Sequence, residues 1–222
     1  MVKKSLSIKE LPKMTQEEYI QTILDFDADI LDHQLENQLL IELVNKYVNV
    51  SKELEDKIQE VELLSITDPL TKIYNRLKFN QTVTDEIDRY KRYNESFAIL
   101  ILDIDHFKKV NDQYGHDIGD ETLVRLTELV GSMLRQSDVF ARWGGEEFIA
   151  LIVNSDKDNA MKLAERIRAK IEASKFNMVG HITISIGVSV IDSKDKLLSI
   201  VKRADNALYE AKNAGRNKVF FS

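Results

Sequence analysis

The chain has 222 residues, of which 43% are hydrophobic and 31% charged, and its formal net charge is −6. This length suits one mid-sized domain with an appendage or two small domains, and the negative charge argues against a general binder of nucleic acid or anionic membranes. The absence of cysteine excludes disulfides, thiolate zinc sites and cysteine nucleophiles. No apolar run approaches the ~20 residues of a membrane span. The N-terminus also lacks the apolar stretch of a signal peptide, so we expect a cytoplasmic protein.

The front of the chain is predicted to be all helical. All eight glycines lie at or after Gly115 and the two prolines are Pro12 and Pro69, so residues 13–68 contain no strong helix breaker. Residues 1–66 hold 7 Lys and Arg against 14 Asp and Glu, a balance of −7 that leaves +1 for the rest. This shift predicts a helical assembly and control region over residues 1–65 and a second domain over residues 66–222.

A heptad pattern runs through the second half of this region. Thr15 and Glu18 predict a capping box for an earlier helix that reaches Leu35. Farther along, eight positions follow 3,4 spacing and seven of them are apolar; they are Leu40, Leu43, Tyr47, Val50, Leu54, Lys57, Val61 and Leu64. The pattern fits a dimerising stalk, and it also fits an amphipathic helix packed on its own domain. So short a seam leaves the oligomeric state open.

The second part alternates strand and helix signals. We predict strands over residues 97–105, 139–142, 147–153, 181–191 and 218–221, and helices over residues 121–134, 158–173 and 197–213. Gly144 and Gly145 predict a two-residue hairpin turn in which glycine supplies positive φ at low cost. The predicted fold class is therefore α/β with at least one antiparallel hairpin, which argues against a purely parallel doubly wound sheet.

Carboxylates lie at the end of one strand and beside the hairpin glycines. Asp103 and Asp105 are two apart, which puts them on one face of the strand. Their mutual repulsion favours a divalent cation, and oxygen ligands favour Mg²⁺ with phosphate oxygens completing the shell. The alternative is a solvated strand end that leads into a turn. Glu146 and Glu147 face opposite ways, so only one can join Asp103; by themselves they also fit a charged hairpin tip.

Six motifs, in order along the chain, closely resemble those of the GGDEF family of diguanylate cyclases. They are residues 68–76 (DPLTKIYNR), 103–112 (DIDHFKKVND), 114–120 (YGHDIGD), 142–148 (RWGGEEF), 185–187 (SIG) and 205–217 (DNALYEAKNAGRN). The resemblance implies a fold similar to the palm of polymerases and nucleotidyl cyclases, a mixed sheet flanked by helices with the signature on a hairpin. It also implies condensation of two GTP into cyclic di-GMP and two pyrophosphates, a bacterial signalling reaction connected with biofilms.

The resemblance assigns the metal and catalytic roles. Mg²⁺, or Mn²⁺ as an alternative, would be held by Asp103, the backbone carbonyl of Ile104 and Glu146. Such cations neutralise charge that develops on transferring phosphates. Glu146 is also the candidate base for the ribose 3′-hydroxyl, and Glu147 would make a second metal contact or support the transition state. The third signature residue is Glu where the family name has Asp, so the carboxylate is retained.

Three further positions match the family's nucleotide site. Asp120 can accept from the N1–H and N2–H₂ donors of guanine, Asn111 can donate and accept, and His116 lies between them in sequence. Each has a structural alternative, because Asn111 also fits a turn residue, His116 loop packing and Asp120 a helix N-cap.

Phosphate recognition is expected from backbone donors and cations. The segment 106–109, which includes Phe107, follows a strand and opens a helix, so its N–H groups can face an anion. Lys108, Lys212 and Arg216 match the family's phosphate contacts. Lys212 and Arg216 share one helical face if the helix persists through Gly215. The alternative is an ordinary cationic helix C-terminus that complements the helix dipole.

Arg135 and Asp138 match the inhibitory RxxD site of the family. An arginine can bind guanine O6 and N7, and an aspartate can accept from guanine N1 and N2, so one motif can clamp the product. Arg166 lies where some members supply a second inhibitory arginine. The alternative is a surface salt bridge between Arg135 and Asp138.

Assembly follows from the half-site that each such domain provides. Each domain would hold one GTP, so synthesis needs two domains facing each other, and we expect a homodimer or higher homo-oligomer assembled through residues 1–64. The acidic segment could also dock a protein adaptor. Two rival readings are a receptor for GTP or cyclic di-GMP without synthesis, and a scaffold that recruits partners through its front helices.

Overall fold

The computed structural model describes Thr15, Glu17, Glu18, Ile20 and residues 34–222. The chain divides into two compact units between Leu63 and Leu64. In the part of the chain described, no helix is both long and apolar enough to cross a membrane. The helix predicted over residues 15–35 lies largely outside the described residues. Its capping box is confirmed, because the N–H of Thr15 donates to the Glu18 carboxylate at 2.7 Å and the N–H of Glu18 donates to Thr15 Oγ1 at 3.3 Å.

One long helix, α1, covers Gln34–Ile66, a span of 33 residues, most of which belong to the first unit. This confirms the helix predicted from the absence of breakers. Its apolar seam is open to solvent, with exposed fractions between 45% and 65% for Leu43, Tyr47, Val50, Leu54 and Val61. Such a stripe is the pattern of a helix that packs against another helix.

The second unit is built on a six-stranded sheet. Its strands are β1 (Tyr74–Asn75), β2 (Phe97–Ile104), β3 (Val139–Gly144), β4 (Glu147–Val153), β5 (Ile184–Val190) and β6 (Val219–Phe221). They lie in the order β1-β3-β4-β2-β5-β6. β2 runs antiparallel to both β4 and β5, while β1 with β3 and β5 with β6 pair in parallel. The predicted mixed sheet is confirmed.

Five helices flank the sheet on both faces. They are α2 (Arg76–Tyr93), α3 (Phe107–Tyr114), α4 (His116–Gly131), α5 (Lys157–Ala173) and α6 (Leu197–Asn213). Every residue of β2 is buried, so alternate side chains serve two cores. One core joins β2 to α3, α4 and α5, and the other joins it to α2 and α6. Helix α2 was not predicted from the sequence, and α4 begins five residues before its predicted start at Glu121.

The hairpin between β3 and β4 carries the signature, as predicted, but its turn differs in detail. Gly144 pairs with Glu147, so the turn residues are Gly145 and Glu146 rather than the two glycines. Neither glycine has positive φ, so that part of the prediction is wrong. The turn places Glu146 at the apex and Glu147 at the first position of β4.

Gly187 fixes the distance between β5 and α6. A Cβ at this position would lie 2.1 Å from the carbonyl oxygen of Ala204 and 2.3 Å from the backbone nitrogen of Leu208. Only glycine permits this backbone-to-backbone approach. The close packing places the last turn of α6, with Lys212, beside the end of β2.

Candidate active site

Asp103 lies near the end of the central strand and anchors the site. It pairs in register with Glu147 of β4 on one side and with Ser185 of β5 on the other. The carboxylate is buried, with 6% of the residue exposed, and its Oδ2 lies 2.8 Å from Lys212 Nζ. Ile104, the last residue of β2, is buried next to it. The sheet therefore brings an acidic strand end, the hairpin and the end of α6 together.

The three carboxylates of this site interact electrostatically. Burial raises the pKa of Asp103, and its ion pair with Lys212 only partly offsets that rise. Burial and then the charge of Asp103 raise the pKa of both Glu146 and Glu147, again against the influence of Lys212. Like charges held in a partly desolvated site favour protonation or a bound cation. The electrostatics therefore favour a cation between Asp103 and the hairpin.

The donor set fits Mg²⁺. Within the described residues, no three His, Asp or Glu side chains gather closely enough to hold a metal by themselves. Mg²⁺ commonly binds through one or two carboxylates and keeps water or substrate phosphates as its other ligands. Asp103 and Glu146 supply two such carboxylates, and the charge of the first is felt at the second.

Asp105 has different partners from Asp103, although both were predicted on one face. Its Oδ2 accepts from Thr183 Oγ1 at 2.7 Å and from the N–H of Asn217 at 2.9 Å, while Oδ1 accepts from Ser185 Oγ at 2.7 Å. The residue is 6% exposed, so the alternative of a solvated strand end is wrong. Its oxygens are already occupied by protein donors, and it is not an open carboxylate of the cation site.

Asn111 and Asp120 are brought together by the packing of α3 against α4. The two helices meet at Gly115, whose φ of +88° is suited to glycine. A Cβ on Gly119 would lie 1.9 Å from Asn111 Oδ1, so the Asn111 side chain lies directly against the turn that carries Asp120. Asn111 lies inside α3 and Asp120 in the second turn of α4, so the alternatives of a turn residue and a helix N-cap are wrong. His116 is the exposed first residue of α4.

The residues predicted to bind phosphate lie around the ends of α3 and α6. Phe107 is the first residue of α3, with a buried ring, and Lys108 next to it is exposed. α6 ends at Asn213, so the helix does not persist through Gly215, and Lys212 and Arg216 do not share a helical face. Arg216 instead follows in a left-handed turn with φ of +62°. The positive charges of both residues act against the burial that raises the pKa of Asp103.

One contact of the hairpin was missed by the sequence analysis. Arg142 donates through Nη1 to Asp68 Oδ1 at 3.1 Å, and through Nε and Nη2 to the carbonyl of Gly145 at 3.0 and 2.8 Å. Asp68 also accepts from the N–H of Thr71, and although burial opposes it, the bonds from Thr71 and Arg142 lower the pKa of Asp68. Both residues lie in the quoted motifs, but the parallel pairing of β1 with β3 is needed to bring them together.

A second cluster surrounds Arg135 and Asp138. With Arg166 they line a cavity of about 450 Å³. Asp138 Oδ2 accepts from the backbone N–H of Arg135 at 2.9 Å, and Asp138 Oδ1 is buried with no hydrogen-bond partner. Among the described residues there is no salt bridge between the two side chains, so that alternative is not observed. The cluster offers two guanidinium groups and a free acceptor around one cavity.

Comparison with known proteins agrees with this arrangement. Residues 65–218 match the family described as diguanylate cyclase, GGDEF domain. The diguanylate cyclase DgcP of Pseudomonas aeruginosa is 36% identical over 185 residues, which is 82% of this chain and 28% of DgcP. The chain therefore spans less than a third of the length of that curated relative.

Two solved structures share the fold. The coiled coil and GGDEF domain of DgcB from Caulobacter crescentus, in complex with c-di-GMP, has a TM-score of 0.77 and 27% identity, covering 83% of this chain and 99% of that one. The diguanylate cyclase SiaD from Pseudomonas aeruginosa, in complex with its activator SiaC, has a TM-score of 0.70 and 31% identity, covering 93% and 81%. With the motifs, the mixed sheet and the family match in agreement, the chain belongs to the GGDEF family of diguanylate cyclases.

Proposed function

We propose that the protein condenses two GTP into cyclic di-GMP and releases two pyrophosphates in the cytoplasm. The observation that carries this proposal is the buried Asp103 at the end of β2, paired in register with Glu147 and 2.8 Å from Lys212. Carboxylates and a lysine ammonium at one point suit a cation-assisted phosphoryl transfer, in which catalysis depends on positioning and charge neutralisation. The family membership supports the same chemistry.

The catalytic roles follow from the position of each carboxylate. Asp103, the carbonyl of Ile104 and Glu146 would hold Mg²⁺ or Mn²⁺, which neutralises charge on the phosphates when bound. Glu146 lies at the hairpin apex beside the proposed cation, where it would be placed to take the proton of the attacking 3′-hydroxyl. Glu147, which is in register with Asp103 on β4, would make a second contact to the cation or support the transition state.

The substrate contacts would come from α3, α4, α6 and the turn after α6. Asn111 and Asp120 would read guanine, since a carboxylate accepts from two adjacent donors that adenine lacks, and His116 would border the nucleotide. The triphosphate would meet the N–H groups at Phe107, where α3 begins, because a helix N-terminus attracts anions. The cations for it are Lys108, Lys212 and Arg216.

We also propose that residues 1–65 form the assembly and control region of a homodimer or higher homo-oligomer, with the cyclase domain over residues 66–222. The exposed seam of α1 supports this, since two such helices would bury it against each other. Two bound GTP would then face each other across two domains. The segment 1–64 would in addition dock a protein adaptor, a proposal supported by the solved complex of SiaD with its activator.

The test is turnover of GTP by the full chain. Incubation with GTP and Mg²⁺, with products separated by chromatography, should yield cyclic di-GMP from the wild type and at least about a thousandfold less from Glu146→Gln, because the change removes both a metal ligand and the proposed base. GTP binding by Glu146→Gln, measured by calorimetry, is the control for folding. Binding of GTP or cyclic di-GMP with no product from either protein would favour a receptor over an enzyme.

Feedback inhibition is proposed for the cluster of Arg135, Asp138 and Arg166. Two guanidinium groups and the unpaired oxygen of Asp138 match the acceptors and donors of guanine. Arg135→Ala should weaken inhibition by added cyclic di-GMP by about tenfold or more, because it removes a charged hydrogen-bond donor, and should leave initial turnover in place. Inhibition curves of the variant and the wild type that coincide would contradict this role.

A further inference from the structure

The turn after α6 has an unusual backbone. Gly215, Arg216 and Asn217 follow one another with φ of +107°, +62° and +48°. Glycine adopts such values freely and asparagine is tolerated, but an arginine there is disfavoured by its Cβ. Three successive residues of this kind do not persist unless neighbouring groups hold them. The contacts that hold this turn therefore determine where Arg216 lies.

Asp105 supplies the first of these contacts. It is the residue immediately after β2, its side chain is buried, and its Oδ2 accepts the N–H of Asn217 at 2.9 Å. Thr183 and Ser185 donate their hydroxyls to the same carboxylate at 2.7 Å each. A buried carboxyl group with three donors has a defined orientation, because each lost bond would leave a buried polar group short of a hydrogen-bond partner.

The side chain of Asn217 supplies the second contact. Its Oδ1 accepts from Arg168 Nη1 at 2.6 Å, and its Nδ2 donates to Glu172 Oε1 at 2.7 Å. Arg168 also pairs with Glu172 at 2.8 Å within α5. Asn217 is therefore held through its backbone by β2 and through its side chain by α5, with Arg216 directly before it.

Arg216 lies in the chain between two contacts to the end of β2. Four residues before it, Lys212 Nζ lies 2.8 Å from Asp103 Oδ2, and directly after it the N–H of Asn217 lies 2.9 Å from Asp105 Oδ2. Lys212 is placed by α6 itself, since it lies in the last turn of the helix. Arg216 lies beyond the helix and depends on the turn. The two cations of the site are thus positioned by different means.

We propose that Asp105 is a positioning residue that holds the 215–217 turn and so directs Arg216 toward the substrate phosphates, rather than a metal ligand. The inference rests on the proposed cyclase function for the identity of the substrate. It gives the end of β2 a second function. Asp103 serves the cation site, and Asp105, two residues on, serves the anion site. Asn217 is the link between Asp105 and Arg216.

The experiment is a double-mutant cycle in the full chain. Asp105→Ala should raise the KM for GTP by about tenfold or more, since a charged hydrogen-bond donor would lose its place, with a smaller change in kcat. Arg216→Ala should have a similar effect. Because Asp105 acts through Arg216, the double variant should be no worse than Arg216→Ala alone. Losses that simply multiply would overturn the proposal.

Asp105→Asn is the conservative control. Its amide oxygen can still accept from Asn217 and Thr183, and its NH₂ can donate to Ser185, whose hydroxyl rotates to accept. We expect Asn to restore the KM to within about threefold of wild type, because hydrogen bonds rather than charge hold the turn. A metal ligand would not be rescued in this way, and an Asn variant as impaired as Ala would count against a positioning role.

Two further measurements separate this inference from the proposed function. Urea unfolding of each variant shows whether the domain still folds, and hydrogen exchange reports the N–H of Asn217, which should lose protection in Asp105→Ala and keep it in Asp105→Asn. If the wild type makes no cyclic di-GMP, the proposed function fails, and the same cycle is measured as GTP affinity by calorimetry. Unchanged protection of Asn217 in Asp105→Ala would refute the inference whether or not the protein is a cyclase.

Discussion

Helix α1 and the domain that follows it differ in the exposure of their apolar side chains. In the domain, β2 is buried along its whole length and two cores lie against its faces. In α1, seam residues such as Leu43 and Val61 are 63% and 65% exposed. Burial of apolar surface is the main favourable term in folding, so the domain has cores of its own, whereas the exposed seam of α1 is the surface that the proposed self-association would bury.

This difference suggests that α1 and the domain have separate functions, assembly and catalysis. The carboxylates, cations and nucleotide residues proposed for catalysis all lie in the domain, and α1 carries no residue proposed to contact substrate. A cyclic dinucleotide has two halves, whereas each domain offers one set of Asp103, Asn111 and Asp120. The helix would therefore supply the second half of the reaction by supplying the second domain.

The largest effect is expected from a charge placed in the seam. Leu54→Glu should weaken self-association by about a hundredfold or more, since an uncompensated buried charge costs roughly 3–5 kcal/mol, and turnover at low protein concentration should fall with it. Lys52→Glu places the same residue on the opposite side of α1 and is the matched control. Sedimentation and initial rates measured on the same samples check the link. A monomeric Leu54→Glu protein with full activity would contradict the proposal that α1 brings two domains together for synthesis.

The next effect concerns the domain alone. Gly187→Ala should destabilise it by about 2–3 kcal/mol, because the added methyl would meet the backbone of Ala204 and Leu208. Gly131→Ala, at the last residue of α4, is the control, because the new Cβ would have nothing within 4 Å apart from its chain neighbours and the backbone of its own helix. It should be neutral or stabilising by up to about 1 kcal/mol, since alanine is the better helix former. Urea unfolding of the full chain measures both, and equal midpoints would contradict the role given to Gly187.

Much of the fold could be predicted from local patterns. Helix α6 begins and ends where the sequence predicts, because its apolar residues recur at helical spacing and a glycine follows soon after its end. Helix α2 was missed, although Phe79, Val83 and Ile87 are buried at helical spacing. Because the helix also contains many charged and polar residues, this apolar stripe was not recognised in the sequence.

The site was predicted less completely, because its contacts join distant parts of the chain. Motifs identified Asp103, Lys212 and Asp138 as candidates, but not that Lys212 pairs with Asp103 or that one oxygen of Asp138 is unpaired. Asp103 and Asp105 look equivalent in the sequence, and only their hydrogen-bond and ion-pair partners in the structure distinguish them. Those partners come from β5 and the turn after α6, which sequence spacing does not reveal.

The smallest effect, and the most local, is expected at Gly119. Its Cβ position lies 1.9 Å from Asn111 Oδ1, so Gly119→Ala must move the Asn111 side chain away from the turn that carries Asp120. If these two residues read guanine, the KM for GTP should rise by about tenfold while kcat at saturation changes little, since one hydrogen-bonding group is displaced and the carboxylates are untouched. Gly131→Ala, in the same helix, should leave the KM unchanged. A normal KM in Gly119→Ala would move guanine recognition away from the contact between α3 and α4.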